Sequence, residues 1–245
     1  MKSKPKILVW DLETAGPNSF KADLSVVLMM GYKWLGEKKV TVLTIDQFPG
    51  WFSKKGLNDK PLIKAMLKVM EEADLMVAHY GDRFDRRFFQ GRCALHNLPS
   101  PPPTKQRDTW QIARRAFAFS SNRLTDLADN MRLGHKKQTK DKPDHWPGWW
   151  IRAMAGDRSA IRDMAEYCKN DVLALEELYL RIREYDYTHP RVYEDREKCR
   201  LCGASVQYRG TCFVGEHKYR RFQCTGCGKW DRERRALKDV IESED

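Results

Sequence analysis

The stretch Ile7-Leu8-Val9-Trp10-Asp11-Leu12-Glu13-Thr14 constrains the fold of this 245-residue chain more than any other. It is an apolar run of strand length that carries carboxylates at positions i and i+2. Because alternate side chains of a β-strand point to the same face, we expect Asp11 and Glu13 to emerge together. Two interpretations are open: the pair marks the polar end of a strand that enters a loop, or a divalent metal neutralises it.

The segments that follow predict an α/β fold. Two more strands are expected at 24–35 and 40–45, joined by a turn at 36–39. Pro61 then opens an amphipathic helix, and the apolar run 75–78 predicts a short strand. Strand, helix and strand in this order form a crossover unit, which requires at least one parallel pair of strands. We therefore expect a mixed sheet flanked by helices.

The rest of the chain predicts helices and then a separate module. The expected helices are 85–96, 108–117, one capped by Ser121-Asn122, and 157–184, with an irregular loop at 136–150. The resulting division is a main domain over 1–187, a polar linker over 188–198 and a small C-terminal module over 199–245.

Charge and hydropathy limit the class of partner. The formal net charge is +11, which favours a polyanion, most simply nucleic acid. The longest apolar run, 24–30, is too short to span a bilayer, and no secretory signal pattern is present. We expect an intracellular protein with no membrane partner, of a size that would suit a phage or mobile element.

Four of the seven cysteines form two Cys-x-x-Cys pairs, at Cys199/Cys202 and Cys224/Cys227. In a reducing compartment such pairs indicate metal rather than disulfides, and 21 residues between them suit one structural Zn²⁺ held by four thiolates. The module is thus predicted to be a zinc ribbon with a basic tail, in which the metal supplies most of the folding energy.

Two further carboxylates give the first pair a possible context. Asp85 begins a predicted helix, and Asp171 lies four residues after Tyr167 on the long helix, so those two side chains share a face. Asp85 could instead be a residue favoured by the helix dipole, and the Tyr167/Asp171 pair a surface contact. Taken together, the four acids could surround two Mg²⁺ or Mn²⁺ ions, an arrangement that serves phosphodiester hydrolysis. Asp108 is expected to be a helix cap rather than a fifth member.

Three segments in order resemble the exonuclease motifs of the DEDD (DnaQ-like) superfamily: Asp11-Leu12-Glu13-Thr14, His79-Tyr80-Gly81-Asp82-Arg83-Phe84-Asp85 and Tyr167-Cys168-Lys169-Asn170-Asp171. They are most similar to exonuclease domains related to those of family B DNA polymerases. The resemblance covers roughly residues 5–185 and implies a ribonuclease H-like fold and 3′–5′ exonuclease activity.

The resemblance also implies roles for individual residues. Asp11, Glu13, Asp85 and Asp171 match the four metal-binding acids, and Tyr167 matches the tyrosine that positions the attacking water. Glu166 stands where the other subtype has histidine, so the tyrosine subtype is indicated. One position departs from the family: Tyr80, five residues before Asp85, replaces a frequent asparagine. Its ring could stack on a terminal base, but it cannot make the same amide contacts.

Aromatic and basic residues alternate in the C-terminal module and are candidates for nucleic-acid contact. Stacking rings beside cations suit unpaired bases and phosphates. An alternative is that the aromatics fill the small core of the ribbon. The same two alternatives, base stacking or core anchoring, apply to Trp146, Trp149 and Trp150. The candidate contacts, with Tyr80 of the main domain, are Lys218, Arg220, Arg221, Trp230 and Arg232.

These observations predict a divalent-metal-dependent 3′–5′ exonuclease that acts on nucleic acid by a two-metal mechanism, with a zinc ribbon that assists binding. Single-stranded DNA or 3′ ends are the favoured substrates. The alternatives are an exoribonuclease of the same fold and a non-catalytic nucleic-acid tether.

Overall fold

The computed structural model describes residues 5–135, 148–193, 195, 197–233, 235 and 237. One compact unit spans Pro5–Ile182, and a second begins at Arg183. Trp146, most of the loop expected at 136–150 and the end of the basic tail lie outside the described residues. Within them, no helix is both long enough and apolar enough to cross a membrane.

The first unit is built on a five-stranded sheet with the order β3-β2-β1-β6-β7. Strands β1, β2 and β3 are antiparallel neighbours, whereas β6 lies parallel to β1 and β7 parallel to β6, so the mixed sheet is confirmed. A separate hairpin joins β4 to β5. The strands are β1 Ile7–Ala15, β2 Val26–Trp34, β3 Val40–Thr44, β4 Phe52–Ser53, β5 Gly56–Leu57, β6 Leu75–Ala78 and β7 Gln106–Asp108.

Six helices accompany this sheet: α1 Lys60–Glu71, α2 Asp85–Leu95, α3 Thr109–Ala116, α4 Leu124–Asn130, α5 Gly148–Met154 and α6 Arg158–Ile182. The apolar stripe of α1 is buried as its spacing predicts, and a 3-10 turn, Ile45–Gln47, follows β3. The main core holds Trp10 and Leu12 of β1 together with residues of α1, α2, α5 and α6. Burial of this apolar surface is the main stabilising contribution to the unit.

One strand was not predicted, and two local predictions were wrong. The polar sequence Gln106-Arg107-Asp108 forms a buried strand, because tertiary hydrogen bonds satisfy the Gln106 amide. Helix α4 begins at Leu124 rather than at a Ser121-Asn122 cap, since the Ser121 hydroxyl donates to the Asp126 carboxylate. Helix α5 occupies the end of the segment expected to be an irregular loop, and its Trp149 and Trp150 are buried.

Helix α6 packs closely across β2 at Gly31. A Cβ atom at this position would lie 2.6 Å from the Cys168 Sγ and 2.9 Å from a Val172 methyl carbon, so only glycine fits without a shift. Gly31 is also the register partner of Asp11 in the β1–β2 pairing. The missing side chain thus lets α6 approach the sheet next to the two acids of β1.

The second unit contains an antiparallel sheet with the order β10-β9-β8, formed by β8 Val206–Val214, β9 His217–Cys224 and β10 Trp230–Arg232. A 3-10 turn, Arg183–Tyr185, precedes it. The register of β8 shifts between Tyr208 and Thr211. Each Cys-x-x-Cys pair is followed by a glycine with positive φ, 72° at Gly203 and 77° at Gly228, as the tight turns require.

Candidate active site and metal centre

Strand β1 presents Asp11 and Glu13 on one face. Both are half-buried, while Trp10 and Leu12 point to the other face and pack in the core. One carboxylate oxygen of each acid and the Cys168 Sγ all lie within 4.8 Å of one another. The expected same-face arrangement is therefore present, and its carboxylates converge with a side chain of α6.

Helix α6 brings the last expected motif to the same place. Tyr167 and Asp171 lie one turn apart and are buried. Both line a cleft of about 820 Å³, and Asp11 and Glu13 line it as well. The edge of the Tyr167 ring contacts Trp150 of α5, with ring centroids 6.2 Å apart. Four of the five expected catalytic residues thus share one cavity.

Asp85 occupies a different position. Its side chain is buried and does not line the cleft, and its Oδ1 accepts a hydrogen bond from the backbone N–H of Leu12 at 3.3 Å. Leu12 lies between the two acids of β1, so Asp85 contacts the strand rather than the open cavity. Burial, together with the nearby charge of Asp108, raises the pKa of Asp85 to about 7, although hydrogen bonds from backbone N–H groups oppose the shift.

The pKa of the Cys168 thiol reflects the negative charge at this site. Burial raises the pKa of its thiol well above the usual range, and the charges of Asp11, Glu13 and Asp171 raise it further. The thiol is therefore neutral and surrounded by three carboxylates. Such a concentration of carboxylate oxygens is the donor set that Mg²⁺ and Mn²⁺ prefer, so the residues fit a divalent-cation site.

The turn that carries Tyr80 is held in a strained conformation. Tyr80 has φ 62°, which L side chains other than Asn and Asp adopt infrequently. The carboxylate of Asp108 accepts hydrogen bonds from the backbone N–H groups of Tyr80, Asp82 and Trp110 at 2.8, 3.2 and 3.0 Å. Asp108 is thus the N-cap of α3, as expected, and it also clamps this turn. Burial raises the pKa of Asp108.

A second set of bonds ties the same turn to the core. The Asp82 carboxylate accepts from Gln106 at 2.9 Å and from Gln111 at 2.8 Å. The Gln106 oxygen in turn accepts from the indole N–H of Trp10 at 3.1 Å, so both ends of that amide are occupied. The turn is therefore fixed by contacts that do not involve the acids of the cleft.

The cleft has walls that the sequence did not reveal. Phe20, Trp110 and Arg123 line it beside Tyr80, whose ring meets Trp110 edge to face at a centroid distance of 5.1 Å. Arg83 lies over the same indole, 5.3 Å from its centroid. These residues come from separate segments with no motif of their own, so only tertiary structure could identify them.

The second unit gathers its four paired cysteines. The four sulfur atoms all lie within 4.8 Å of one another. The Sγ–Sγ distance is 3.6 Å for Cys199–Cys227 and 3.5 Å for Cys202–Cys224. Burial raises the pKa of Cys202, and a hydrogen bond with Cys199 raises that of Cys227 far above its usual range. A cation bound between the four sulfurs would displace these protons, and the cluster fits a zinc ribbon.

The candidate nucleic-acid contacts of this sheet fall on two faces. Residues opposite one another in antiparallel strands share a face, and Arg221 is the register partner of Arg232. Trp230 lies two residues before Arg232 and shares that face. Lys218 and Arg220 alternate with Arg221 along β9 and point to the other face. The five candidates do not form one surface.

Comparisons with known proteins agree with this architecture. A family model described as RNase_H superfamily matches residues 8–183, and no curated protein sequence matches the chain. Among solved structures, the family B DNA polymerase from the hyperthermophilic archaeon Pyrobaculum calidifontis is similar, with a TM-score of 0.56 and 15% sequence identity over 74% of this chain. The match spans 25% of the polymerase, and at this identity it supports the fold alone. With most of its length matched by the family model, the chain belongs to the RNase H superfamily: its first unit is an RNase H-like domain.

Proposed function

We propose that this protein is a divalent-metal-dependent 3′–5′ exonuclease of the tyrosine DEDD subtype, with DNA as the favoured substrate. One observation carries the proposal: Asp11, Glu13, Tyr167 and Asp171, which come from the first and last elements of the RNase H-like domain, line a single cleft. Superfamily membership agrees with nuclease chemistry, and the similarity to a DNA polymerase agrees with a nucleic-acid substrate.

Each residue of the cleft has a role in this proposal. Asp11, Glu13 and Asp171 line the cleft and would hold the cations, and Asp85 would position strand β1 through its hydrogen bond from the Leu12 N–H. Two bound Mg²⁺ or Mn²⁺ ions would stabilise the charge that develops on the attacking and leaving oxygens. Tyr167, one turn from Asp171, orients the attacking water through its hydroxyl. The buried ring contact with Trp150 limits the freedom of this tyrosine.

The remaining cleft residues suit the end of a nucleic-acid strand. A cavity of about 820 Å³ lies within the usual range of roughly 300–1,000 Å³ for small-ligand pockets, so it holds a terminal nucleotide or two. Phe20, Tyr80 and Trp110 offer faces or edges to unpaired bases, and Arg123 offers a cation to phosphate. This combination favours attack at a strand end.

The test is the product ladder from 5′-labelled DNA single strands, duplexes and RNA incubated with Mg²⁺ or Mn²⁺. Progressive shortening from the 3′ end is expected, with DNA degraded faster than RNA. Asp171→Ala should reduce the rate at least ~100-fold. Mutation of a residue that merely hydrogen-bonds to a metal ligand already lowers activity about 10–100-fold, and Asp171 is a proposed ligand itself. Asp163→Ala, two turns earlier on α6, removes the same charge outside the cleft and should keep the rate.

Other results would replace the proposal. Faster degradation of RNA would assign an exoribonuclease, and a single internal cut would assign an endonuclease. Binding without cleavage in either metal would leave a non-catalytic tether. Full activity in a folded Asp171→Ala protein would contradict the assigned site.

We also infer that the second unit binds one structural Zn²⁺ through Cys199, Cys202, Cys224 and Cys227, and that it assists nucleic-acid binding. The converging thiols support the first inference. The second rests on the exposed basic and aromatic side chains of its sheet. A four-thiolate site has no open position, so the ion would hold the fold and take no part in hydrolysis.

A further inference from the structure

The ribbon sheet has two faces of different chemistry. We call the first the arginine face and define it by Tyr219, Arg221, Trp230 and Arg232 of strands β9 and β10. Arg221 and Arg232 are register partners, and Tyr219 lies two residues before Arg221 on the same side of β9. The opposite face carries Lys218, Arg220, Phe222 and Asp231.

Each arginine of the arginine face lies against an aromatic ring of the same face. The Arg221 guanidinium is 5.2 Å from the Trp230 ring centroid, and that of Arg232 is 4.1 Å from the Tyr219 centroid. The Arg221 Nε also donates to the Arg209 carbonyl at 2.8 Å, which fixes the guanidinium further. Stacking of this kind orients the cation and leaves its other N–H groups available for phosphate oxygens.

The two faces differ in their acidic residues. Across strands β8, β9 and β10, every residue of which the structure describes, the sole acidic residue is Asp231, and it points to the opposite face. There Asp231 pairs with Arg200 at 3.4 Å, and Glu233 pairs with Arg220 at 4.0 Å. Acids therefore offset part of the positive charge on the opposite face, whereas no strand residue of the arginine face is acidic.

A groove of about 780 Å³ borders the arginine face at the edge strand β10, and the exposed Trp230 ring lines it. Trp230 is 48% exposed, so part of its ring is accessible to a partner. The groove lies at the sheet edge, so its two acids, Asp231 and Glu233, and Arg200 belong to the opposite face; its other arginines are Arg191, Arg221 and Arg232. The summed charge of these residues is positive, which suits a polyanion.

We propose that the arginine face binds single-stranded nucleic acid. Arg221 and Arg232 contact successive phosphates, and unpaired bases stack on Trp230 and Tyr219. A duplex would offer phosphates to the arginines but no free base faces to the rings, so a single strand is the matching partner. Arg220 and Lys218 lie on the other side of the sheet and take no direct part. The assignment rests on the proposed nucleic-acid function and names the surface that performs it.

Two double variants of the full-length protein test the choice of face. Arg221→Gln/Arg232→Gln and Lys218→Gln/Arg220→Gln each remove two positive charges, so they have the same net charge. Binding to labelled oligothymidylate is measured by fluorescence anisotropy at several salt concentrations, with zinc retained and Mg²⁺ and Mn²⁺ omitted to prevent cleavage. Zinc content and circular dichroism confirm that each variant is folded.

The first double variant should bind at least tenfold more weakly, and its log–log salt slope should be shallower by about 1.4, because each phosphate contact contributes ~0.7 on single strands. The second should stay within about twofold of wild type. Trp230→Ala should weaken binding about tenfold and leave the salt slope unchanged, because stacking releases no counterions. Arg221→Lys/Arg232→Lys keeps the charges and should retain the slope.

Equal losses in the two double variants would show that net charge alone matters, and this would overturn the assignment. So would an intact salt slope in Arg221→Gln/Arg232→Gln, or tighter binding of a duplex of equal length. The outcome is independent of catalysis, because binding is measured without the catalytic ions. A protein that never cleaves could still bind through the arginine face, and an active nuclease could prove not to use it.

Discussion

Gly31→Ala tests whether the contact between α6 and β2 sets the position of the proposed catalytic residues. The added methyl group would lie 2.6 Å from the Cys168 Sγ and 2.9 Å from a Val172 methyl carbon. Nonbonded heavy atoms settle at about 3.5–4.0 Å, so α6 must retreat by about 1 Å. Overpacking of this kind should lower the free energy of unfolding by about 1–3 kcal/mol.

The same retreat would carry Tyr167 and Asp171 away from Asp11 and Glu13. A misplacement of about 1 Å can reduce an enzymatic rate about 100-fold, so kcat/KM should fall by that order while the protein remains folded. Urea unfolding measures the loss of stability, and degradation of 5′-labelled single strands measures the loss of rate.

Cys168→Ala removes the sulfur that the new methyl group would meet. Gly31→Ala/Cys168→Ala should therefore recover part of both losses, and only part, because Val172 still lies close. Gly134→Ala is the matched control, since its methyl group would lie 3.6 Å from the Glu177 carboxylate, an ordinary contact. Wild-type rate and stability in Gly31→Ala, or no recovery on removal of the sulfur, would refute the packing account.

Three further predictions concern individual groups. The pKa of Asp85 is about 7 in the folded protein and 3.8 in the unfolded chain, so the folded protein binds the Asp85 proton more tightly. The contribution of this group to the free energy of unfolding should therefore be full below about pH 4 and fall by roughly 4 kcal/mol as the pH rises to 7. Asp85→Asn should remove this contribution in urea unfolding without Mg²⁺ or Mn²⁺ and leave that of Asp108, whose pKa burial also raises; an unchanged pH profile would contradict the raised pKa of Asp85. Removal of zinc by a chelator should unfold the second unit and change the fluorescence of the exposed Trp230, whereas an unchanged amide NMR spectrum would exclude a structural metal. Tyr167→Phe should slow strand degradation less than Asp171→Ala does and leave Mn²⁺ affinity unaltered by calorimetry, because it removes a hydroxyl and no cation ligand.

Sequence reasoning succeeded where local periodicity carries the information. The alternation in β1 places Asp11 and Glu13 on one face, and the helical spacing of Tyr167 and Asp171 places both on one side of α6. The order of strands and helices was enough to predict a mixed sheet. These features depend on residues close together in the chain.

It failed where a residue owes its position to distant partners. Gln106 belongs to a buried strand because Trp10 and Asp82 satisfy its amide, and nothing near it in the chain signals this. The importance of Gly31 depends on Cys168 and Val172 of α6, more than 130 residues later. The separation of Arg220 from Arg221 follows simply from strand alternation, but only once the exact strand boundaries and register are known.

The clamped turn at Tyr80 has a consequence for how such a site can diversify. The turn is anchored through Asp108 and through Asp82 to Gln106, and none of these bonds uses the Tyr80 side chain. Its position is thus fixed without a hydrogen bond from the Tyr80 side chain, although the positive φ of 62° restricts position 80 to residues that tolerate it. In the proposed exonuclease, exchange of Tyr80 for a residue that tolerates this φ, such as Asn or Asp, would alter the contact with a strand end while Asp11, Glu13 and Asp171 keep their places. If the proposed function holds, the contact with the strand end could therefore change while the proposed catalytic acids stay in place.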